Sequence, residues 1–253
     1  VNETISRAIA SNKNWDEIVF SDLVKGSYFY DTINDLAANS RLRKRKLGSD
    51  DCYTINTEGS LEEYLATLGK NTRLKLYNRR KALSEHGEVS LKYVDLRESD
   101  DIFRCINEFH LERYRKPAFS EINIAVLRKV IDSMPESASF KCSSLMTVDK
   151  KPVSAIVNAF LNGKIYNIQL GFLEGLDKRI SLGTLHLGYA IEMAFESPEI
   201  VSFDLLAGEG KRSNYKARLA SYHATLESIQ ILRKPIIRLM YLVNDKMKGN
   251  YNH

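Results

Sequence analysis

Between Phe140 and Leu170 the hydrophobic period of this 253-residue chain switches from 3.6 to 2, and no other feature limits its folds as much. Phe140 to Val148, Val153 to Leu161 and Ile165 to Leu170 read as three strands. A turn at Asp149 to Pro152 joins the first pair. Asn162-Gly163, a dipeptide suited to the positive φ angles of a type I′ turn, joins the second. Two short links in succession make an antiparallel meander, and such a sheet needs helices to cover it.

Helical patterns stand on both sides. Upstream, Ser60 opens S-L-E-E, a capping box in which the Ser60 hydroxyl and the Glu63 carboxylate satisfy free helix N–H groups. Apolar residues at helical spacing then predict one long helix through Leu83, with Gly87 as its stop. Lys70, Arg73, Lys75, Arg79, Arg80 and Lys81 make part of it basic, either a solvent face or a rim that attracts phosphate or an acidic acceptor. A strand at Glu88 to Val94 follows. The next helix carries Ile102, Phe103, Ile106 and Phe109 on its apolar stripe, with His110 and Arg113 near its end, and Ser120 caps a further helix through Ile131. After the meander come a helix at Thr184 to Phe195, a strand at Ile200 to Leu206, a helix at Asn214 to Ala220, a strand at Thr225 to Leu232 and a helix at Pro235 to Met247. The expected class is α/β (α+β), a mixed, mainly antiparallel sheet flanked by helices.

The first fifty residues fit this scheme less well. Ile5 to Leu23 reads as a helix running into a buried strand, and Tyr30 to Ala38 as a short helix. Arg41, Arg43, Lys44, Arg45 and Lys46 then precede Gly48 and a strand at Cys52 to Asn56. A basic run of this kind reads as a solvated linker or helix end, with recruitment to phosphate or an anionic membrane as the alternative. A boundary is expected there: residues 1–48 as the tail of a preceding unit, residues 49–253 as the main domain.

Composition bounds the function. With 43% hydrophobic residues the chain can bury one substantial core or two small ones, which excludes a disordered chain, a disulfide mini-domain and a fibre. Thirty-seven basic against thirty-two acidic residues leave +5, which permits a polyanionic partner without requiring one. Cys52, Cys105 and Cys142 lack the spacing of a disulfide framework or zinc site, so they read as free thiols and no metal is expected. No apolar run approaches the roughly 18 residues of a membrane span. No charged leader followed by an apolar stretch is visible, so a cytoplasmic location is expected, and the start at Val1 points to further sequence upstream.

Two windows concentrate chemistry. From Gly171 to Thr184 a strand runs through a loop with Arg179, Ser181 and Gly183 into a helix, whose first N–H groups and positive dipole end suit a pyrophosphate. From Phe203 to Lys216 a buried strand ends in two glycines, an acid, bases and a tyrosine, at the carboxyl end of a strand where open α/β sheets hold ligands. The helix between the windows returns the chain, so the two loops can lie close together.

These residues, in this order, resemble the acyltransferase domain of the GNAT superfamily. The branch is the one that includes CelD-type proteins associated with cellulose biosynthesis and is related to the Fem peptidoglycan-bridge transferases. The resemblance rests on S-L-E-E-Y-L with K-N-T-R and R-R-K, F-H-L-E-R-Y, S-L-G-T, and F-D-L-L-A-G-E-G followed by N-Y-K-A-R-L-A, and covers about Ser60 to Ala220. It implies a sheet splayed near its middle to admit acyl-CoA, with Arg179, Ser181, Leu182, Gly183 and Thr184 at the pyrophosphate. This loop lacks the spaced glycine pair of the common superfamily motif. Fem relatives take an aminoacyl group from transfer RNA and contain two GNAT-like halves, of which residues 1–48 would be the remnant of the first.

The implied reaction moves an acyl group to an amine or hydroxyl of a sugar, polysaccharide precursor or related small molecule. Tyr215 is the candidate acid for the leaving thiolate, and Lys216 would stabilise developing negative charge. Glu209 and Asp204 are the candidate bases, with His110 behind them, and Arg113 and Gln169 the candidate acceptor contacts. The alternatives are a GNAT-fold binding protein without turnover and a Fem-like transferase dependent on aminoacyl-tRNA.

Overall fold

The structure, a computed structural model, describes residues 2–12, 14–39, 42–97, 100–135, 139, 141–208 and 215–247. In chain order the elements are α1 (Asn2–Ser11), β1 (Glu17–Val24), α2 (Tyr28–Asn39), β2 (Arg43–Asn56), α3 (Leu61–Thr67), α4 (Lys70–Arg73), a π-helical turn (Leu74–Asn78), α5 (Arg80–Ser84) and β3 (Val89–Val94). There follow α6 (Asp101–Tyr114), α7 (Glu121–Ser133), β4 (Ser143–Val148), β5 (Lys151–Leu161), β6 (Lys164–Phe172), α8 (Leu182–Glu196), β7 (Ser202–Ala207), β8 (Tyr222–Leu232) and α9 (Pro235–Met247). They form two compact units, one of Tyr53–Tyr222 and one that joins Val1–Cys52 to His223–His253.

The larger unit holds the predicted meander. β3, β4, β5 and β6 pair antiparallel in that order, and β7 adds to β6 in parallel. Asn162 and Gly163 take φ values of 50° and 77°, and Asp149 and Lys150, which link β4 to β5, take 47° and 66°. Both connections are therefore two-residue turns with left-handed residues, whose twist matches the strands they join. The second carries no glycine; the Asp149 side chain holds it by accepting the Glu88 N–H at 2.8 Å.

β5 is buried continuously from Val153 to Ala159 because helices cover both of its faces. Ala155, Val157 and Ala159 pack with Ile102, Phe103, Ile106 and Phe109 of α6 and Ile131 of α7. On the opposite face, Ile156 and Ile165 pack with Leu187, Ala190, Ile191 and Ala194 of α8. Ser60 forms the capping box with Glu63 at 3.1 Å in both directions.

The single helix expected through Leu83 is instead broken into four pieces. Leu68 is extended (φ −77°, ψ 139°), and so is Gly69 before α4. Further along, a Cβ at Gly188 of α8 would fall on the carbonyl oxygen of Leu76. The π-helical turn lies so close to α8 that only glycine fits between them. Of the predicted helix at Asn214 to Ala220, Asn214 lies outside the described residues. The remainder is a single turn, with the N–H groups of Leu219 and Ala220 bonded to the Lys216 carbonyl at 3.0 Å.

In the smaller unit the order is β1-β8-β2, with β1 and β8 antiparallel. α1 and α2 cover one face, burying Ile9, Leu23, Ile33, Ala37, Ile229 and Ile231. Arg41 lies outside the described residues, and the rest of the basic run, Arg43 to Lys46, read as a solvated linker or helix end, is instead the start of β2. Alternation separates its charges: Arg45 meets Asp245 of α9 at 2.5 Å, whereas Lys44 meets Asn34 of α2 at 2.7 Å and Lys46 meets Glu227 at 2.9 Å. The four consecutive charged residues at its start offer no hydrophobic alternation to read.

Candidate active site

The site begins with a failure of strand pairing. β6 and β7 pair only at Lys164 with Ser202, Ile165 with Phe203 and Tyr166 with Asp204, although β6 continues to Phe172 and β7 to Ala207. Beyond Tyr166, β6 is bonded to β5 on one side only, so alternate backbone amides face a widening gap. Because the two strands run parallel, their carboxyl ends open at the same edge of the sheet. A bulge adds to the irregularity: Val157 pairs with Gln169 and Asn158 with Asn167, leaving Ile168 as an extra residue in β6.

The end of β7 is held by the residues predicted from the second window. Leu206 takes φ 56°, unfavourable for a residue with a Cβ. Asp204, buried, accepts the Leu206 N–H at 2.8 Å, and the Lys164 ammonium lies 3.8 Å from its other oxygen. Lys216 Nζ donates to the carbonyls of Leu206 at 3.0 Å and Ala207 at 3.3 Å. Asp204 and Lys216 thus fix the bend that turns β7 away from β6. Tyr215, next to Lys216, is 41% exposed, and partial burial raises its phenol above the usual value, which keeps it protonated at neutral pH. Glu209 lies outside the described residues.

At the same edge, α8 starts without a side-chain cap. The Ser181 hydroxyl contacts the Thr184 hydroxyl at 2.9 Å rather than a backbone amide. The first N–H groups of a 15-residue helix, with its positive dipole end, are therefore uncapped by a side chain. Gly183 serves packing, since a Cβ there would lie 2.7 Å from the Phe172 ring and 2.9 Å from Leu170. Leu182 is buried with Leu83, Met146 and Leu185. Arg179 is already held by two carboxylates, Asp177 at 2.7 Å and Glu85 at 2.8 Å, and His86 adds a contact of 3.0 Å to Asp177. These bonds, chiefly from Arg179, hold the Asp177 carboxyl well below the ordinary range. A phosphate at this loop would have to compete with them for the guanidinium.

The remaining candidates gather on the α6 side of β6. His110 Nε2 lies 3.2 Å from the Leu170 carbonyl oxygen and 3.3 Å from the Gln169 side-chain nitrogen. Arg113, one turn on, meets Glu174 at 2.8 Å, with its guanidinium 4.9 Å from the Phe172 ring centre. His110, Arg113 and Gln169 therefore lie at the end of β6 that pairs with β5 but not with β7.

Two polar networks were not anticipated. His186, fully buried on α8, lies between Ser154 at 2.8 Å from Nδ1 and Ser144 at 2.9 Å from Nε2. Ser154 donates its own proton to the Gly171 carbonyl at 3.1 Å, so it receives Nδ1–H and Nε2 accepts from Ser144. Burial drives this imidazole down to about 3, leaving it neutral. The sequence signal is Ser154, which with Asn158 is a polar residue in the buried, otherwise apolar run from Val153 to Ala159. Arg80, from the basic segment, is sandwiched between Tyr77 and Tyr189 at 4.1 and 3.8 Å and paired with Glu192 at 2.6 Å. It ties the π-helical turn and α5 to α8 rather than standing as a free phosphate rim. Burial also pushes the Cys142 thiol up to about 12, which removes it as a thiolate nucleophile.

Over residues 70–217, more than half its length, the chain matches the model of a family described as an acetyltransferase (GNAT) domain. No curated protein sequence matches it. Among solved structures it is similar to FemX, at 11% identity and a TM-score of 0.65 over 94% of this chain and 77% of that one. It is also similar to L-PGS from Bacillus licheniformis, at 12% identity and a TM-score of 0.54 over 94% of this chain and 74% of that one. A third likeness is to a conserved protein of unknown function from Bacteroides thetaiotaomicron, at 10% identity and a TM-score of 0.56 over 92% and 74%. At such identities the likeness is one of fold. The family match spans the meander, α8 and the parted strands, and by it this chain belongs to the GNAT-domain acetyltransferase family.

Proposed function

We propose that the protein is an acyltransferase that takes an acyl group from acyl-CoA to an amine or hydroxyl of a sugar, a polysaccharide precursor or a related small molecule, in the manner of the CelD-like branch. The parting of β6 and β7 carries this reading, because it leaves strand amides facing a gap at the edge where α8 begins. The acyl carbonyl lies in the gap with its oxygen toward those amides, which stabilise negative charge as the carbonyl carbon becomes tetrahedral. The acceptor approaches from the side of His110, Arg113 and Gln169, its nitrogen or oxygen bonds to that carbon, and it loses a proton to a base or water. The carbon–sulfur bond then breaks, and the departing thiolate takes the proton of Tyr215. Lys216 and Asp204 hold the end of β7, and Tyr215 is the chain neighbour of Lys216. The pyrophosphate is received by the uncapped amides of α8 together with Ser181 and Thr184. A cytoplasmic setting, where acyl-CoA is made, belongs to this reading.

Melting with acetyl-CoA and CoA tests binding: at a hundredfold excess over Kd the stabilisation should approach ~2.7 kcal/mol. Thiol release with a panel of amino sugars and polyols tests turnover. Tyr215→Phe should lower kcat with little change in donor affinity, because the lost proton acts only on the leaving group. Equal turnover in the variant excludes Tyr215 as the acid.

A second reading is favoured by the engagement of Arg179 with Asp177 and Glu85, which weakens the loop as a pyrophosphate site, and by the likeness to FemX. On it the donor is an aminoacyl-tRNA, and RNA retention should fall steeply with salt while CoA leaves the melting temperature unchanged.

A further inference from the structure

We infer that His110 is the catalytic base and that it takes the acceptor's proton on Nδ1. This assignment rests on the acyl-transfer reading and names the group that receives the proton there.

The bulge in β6 brings the parts together. It shifts the alternation of the strand by one residue, so that Ile168 and Gln169 both turn toward α6: Ile168 packs against Ile102, Phe103, Ile106 and Phe109, and Gln169 meets His110. Past the bulge the phase is marked by the Leu173 N–H, which bonds to the Val153 carbonyl at 2.9 Å. Backbone groups of successive strand residues point to alternate edges. Gly171 therefore faces β5, as Leu173 does, and Leu170 faces the other edge, from which β7 has parted. Both the N–H and the carbonyl of Leu170 look into the gap. The N–H is one of the amides open to the acyl oxygen, and the carbonyl holds His110.

That hold sets the tautomer. His110 Nε2 lies 3.2 Å from the Leu170 carbonyl oxygen, which can only accept, so the neutral ring carries its proton on Nε2. The Gln169 amide, 3.3 Å from the same nitrogen, then bonds with its oxygen turned to the ring, an orientation assigned from this network. Nδ1 keeps its lone pair, with no hydrogen bond to it among the described residues. The Tyr114 ring packs against the imidazole at 5.1 Å and, with the Leu170 bond, restrains its plane. Of the other candidate bases, Asp204 is engaged by the Leu206 N–H and the Lys164 ammonium, and Glu209 lies outside the described residues.

As the acceptor's nitrogen or oxygen bonds to the acyl carbon, its proton passes to Nδ1, and the thiolate leaves with the proton of Tyr215. The imidazolium then gives a proton to water and the tyrosinate regains one, so the net change is acceptor plus thioester to acylated acceptor plus thiol. Arg113, one turn on, is paired with Glu174 at 2.8 Å, which spares the imidazolium an unbalanced positive neighbour.

His110→Gln keeps an N–H at the place of Nε2 and removes the base. In the full chain, thiol release from acetyl-CoA with amino sugars and polyols should fall about a hundredfold or more, while melting, and its shift with acetyl-CoA, stay as in wild type. A second measurement needs no turnover. Nitrogen NMR of the five histidines, with His110 assigned by the signal missing from the variant, should show a neutral His110 ring protonated on Nε2. Turnover of the variant equal to wild type, or a proton found on Nδ1, removes the base and leaves the acyl-transfer reading standing. Wild type that releases no thiol with any acceptor removes that reading, and the base with it.

Discussion

Two glycines that look alike in sequence do opposite work at the level of single residues. Gly188 lies where α8 meets the π-helical turn, and any Cβ would press on the Leu76 backbone, which cannot move without shifting the whole turn. Gly188→Ala is therefore expected to destabilise by about 1–3 kcal/mol as overpacking, read as a lower urea midpoint with an unchanged m-value. Gly69 has an ordinary extended backbone and nothing within contact distance of a Cβ. Gly69→Ala should leave stability equal or raised by up to about 1 kcal/mol, since alanine restricts only the unfolded chain. Neither role is legible in the sequence, because both depend on what another segment brings alongside. Asp204 and Lys216 are legible as polar residues near a strand end, yet their bonds to Leu206 and Ala207 make them holders of backbone shape.

Whether an element could be read depended on how local its cause is. The meander was visible because Asn162-Gly163 carries its own turn geometry and because β5 is hydrophobic on both faces. The start of α3 was visible for the same reason: its capping box is closed among Ser60 and Glu63 alone. Removing it tests that locality, and Ser60→Ala should cost about 1 kcal/mol in chemical denaturation, as for other N-caps. A null result would mean that burial of Tyr64 and Leu68 fixes the helix start without help from the cap. By contrast, the seat of the π-helical turn at Leu76 answers to Gly188 of α8, and the strand at Arg43–Lys46 answers to partners at Asn34, Glu227 and Asp245. The divergence of β6 from β7, on which the proposed chemistry depends, leaves no local mark, because pairing register is a relation between segments far apart in the chain. Only the family resemblance carried it.

At the scale of the molecule, each unit contains its own acid-sensitive group, and the two respond in different pH windows. In the larger unit His186 is fully buried and neutral, with a folded pKa near 3 against about 6.5 when unfolded. Below 6.5 the unfolded state binds the extra proton, so stability is fully present above that value and falls by about 1.4 kcal/mol per pH unit on acidification toward 3. In the smaller unit Glu227 is held at about 2 by Lys46, Tyr30 and Lys25, so its contribution is present above the unfolded carboxyl value of 4.5 and lost only as pH falls from there toward 2. The single tryptophan, Trp15, lies in the smaller unit beneath Arg233 at 4.1 Å and reports on that unit alone. Between pH 6.5 and 5, the protection factors of the α8 and β5 amides, taken against the intrinsic exchange rate at each pH, should fall while Trp15 fluorescence stays constant, and below about pH 4.5 the fluorescence should begin to change as Glu227 protonates. His186→Gln, which cannot titrate, should abolish the first change while starting from a lower stability. Persistence of that change in the variant would assign the acid response to another group and remove His186 from the account.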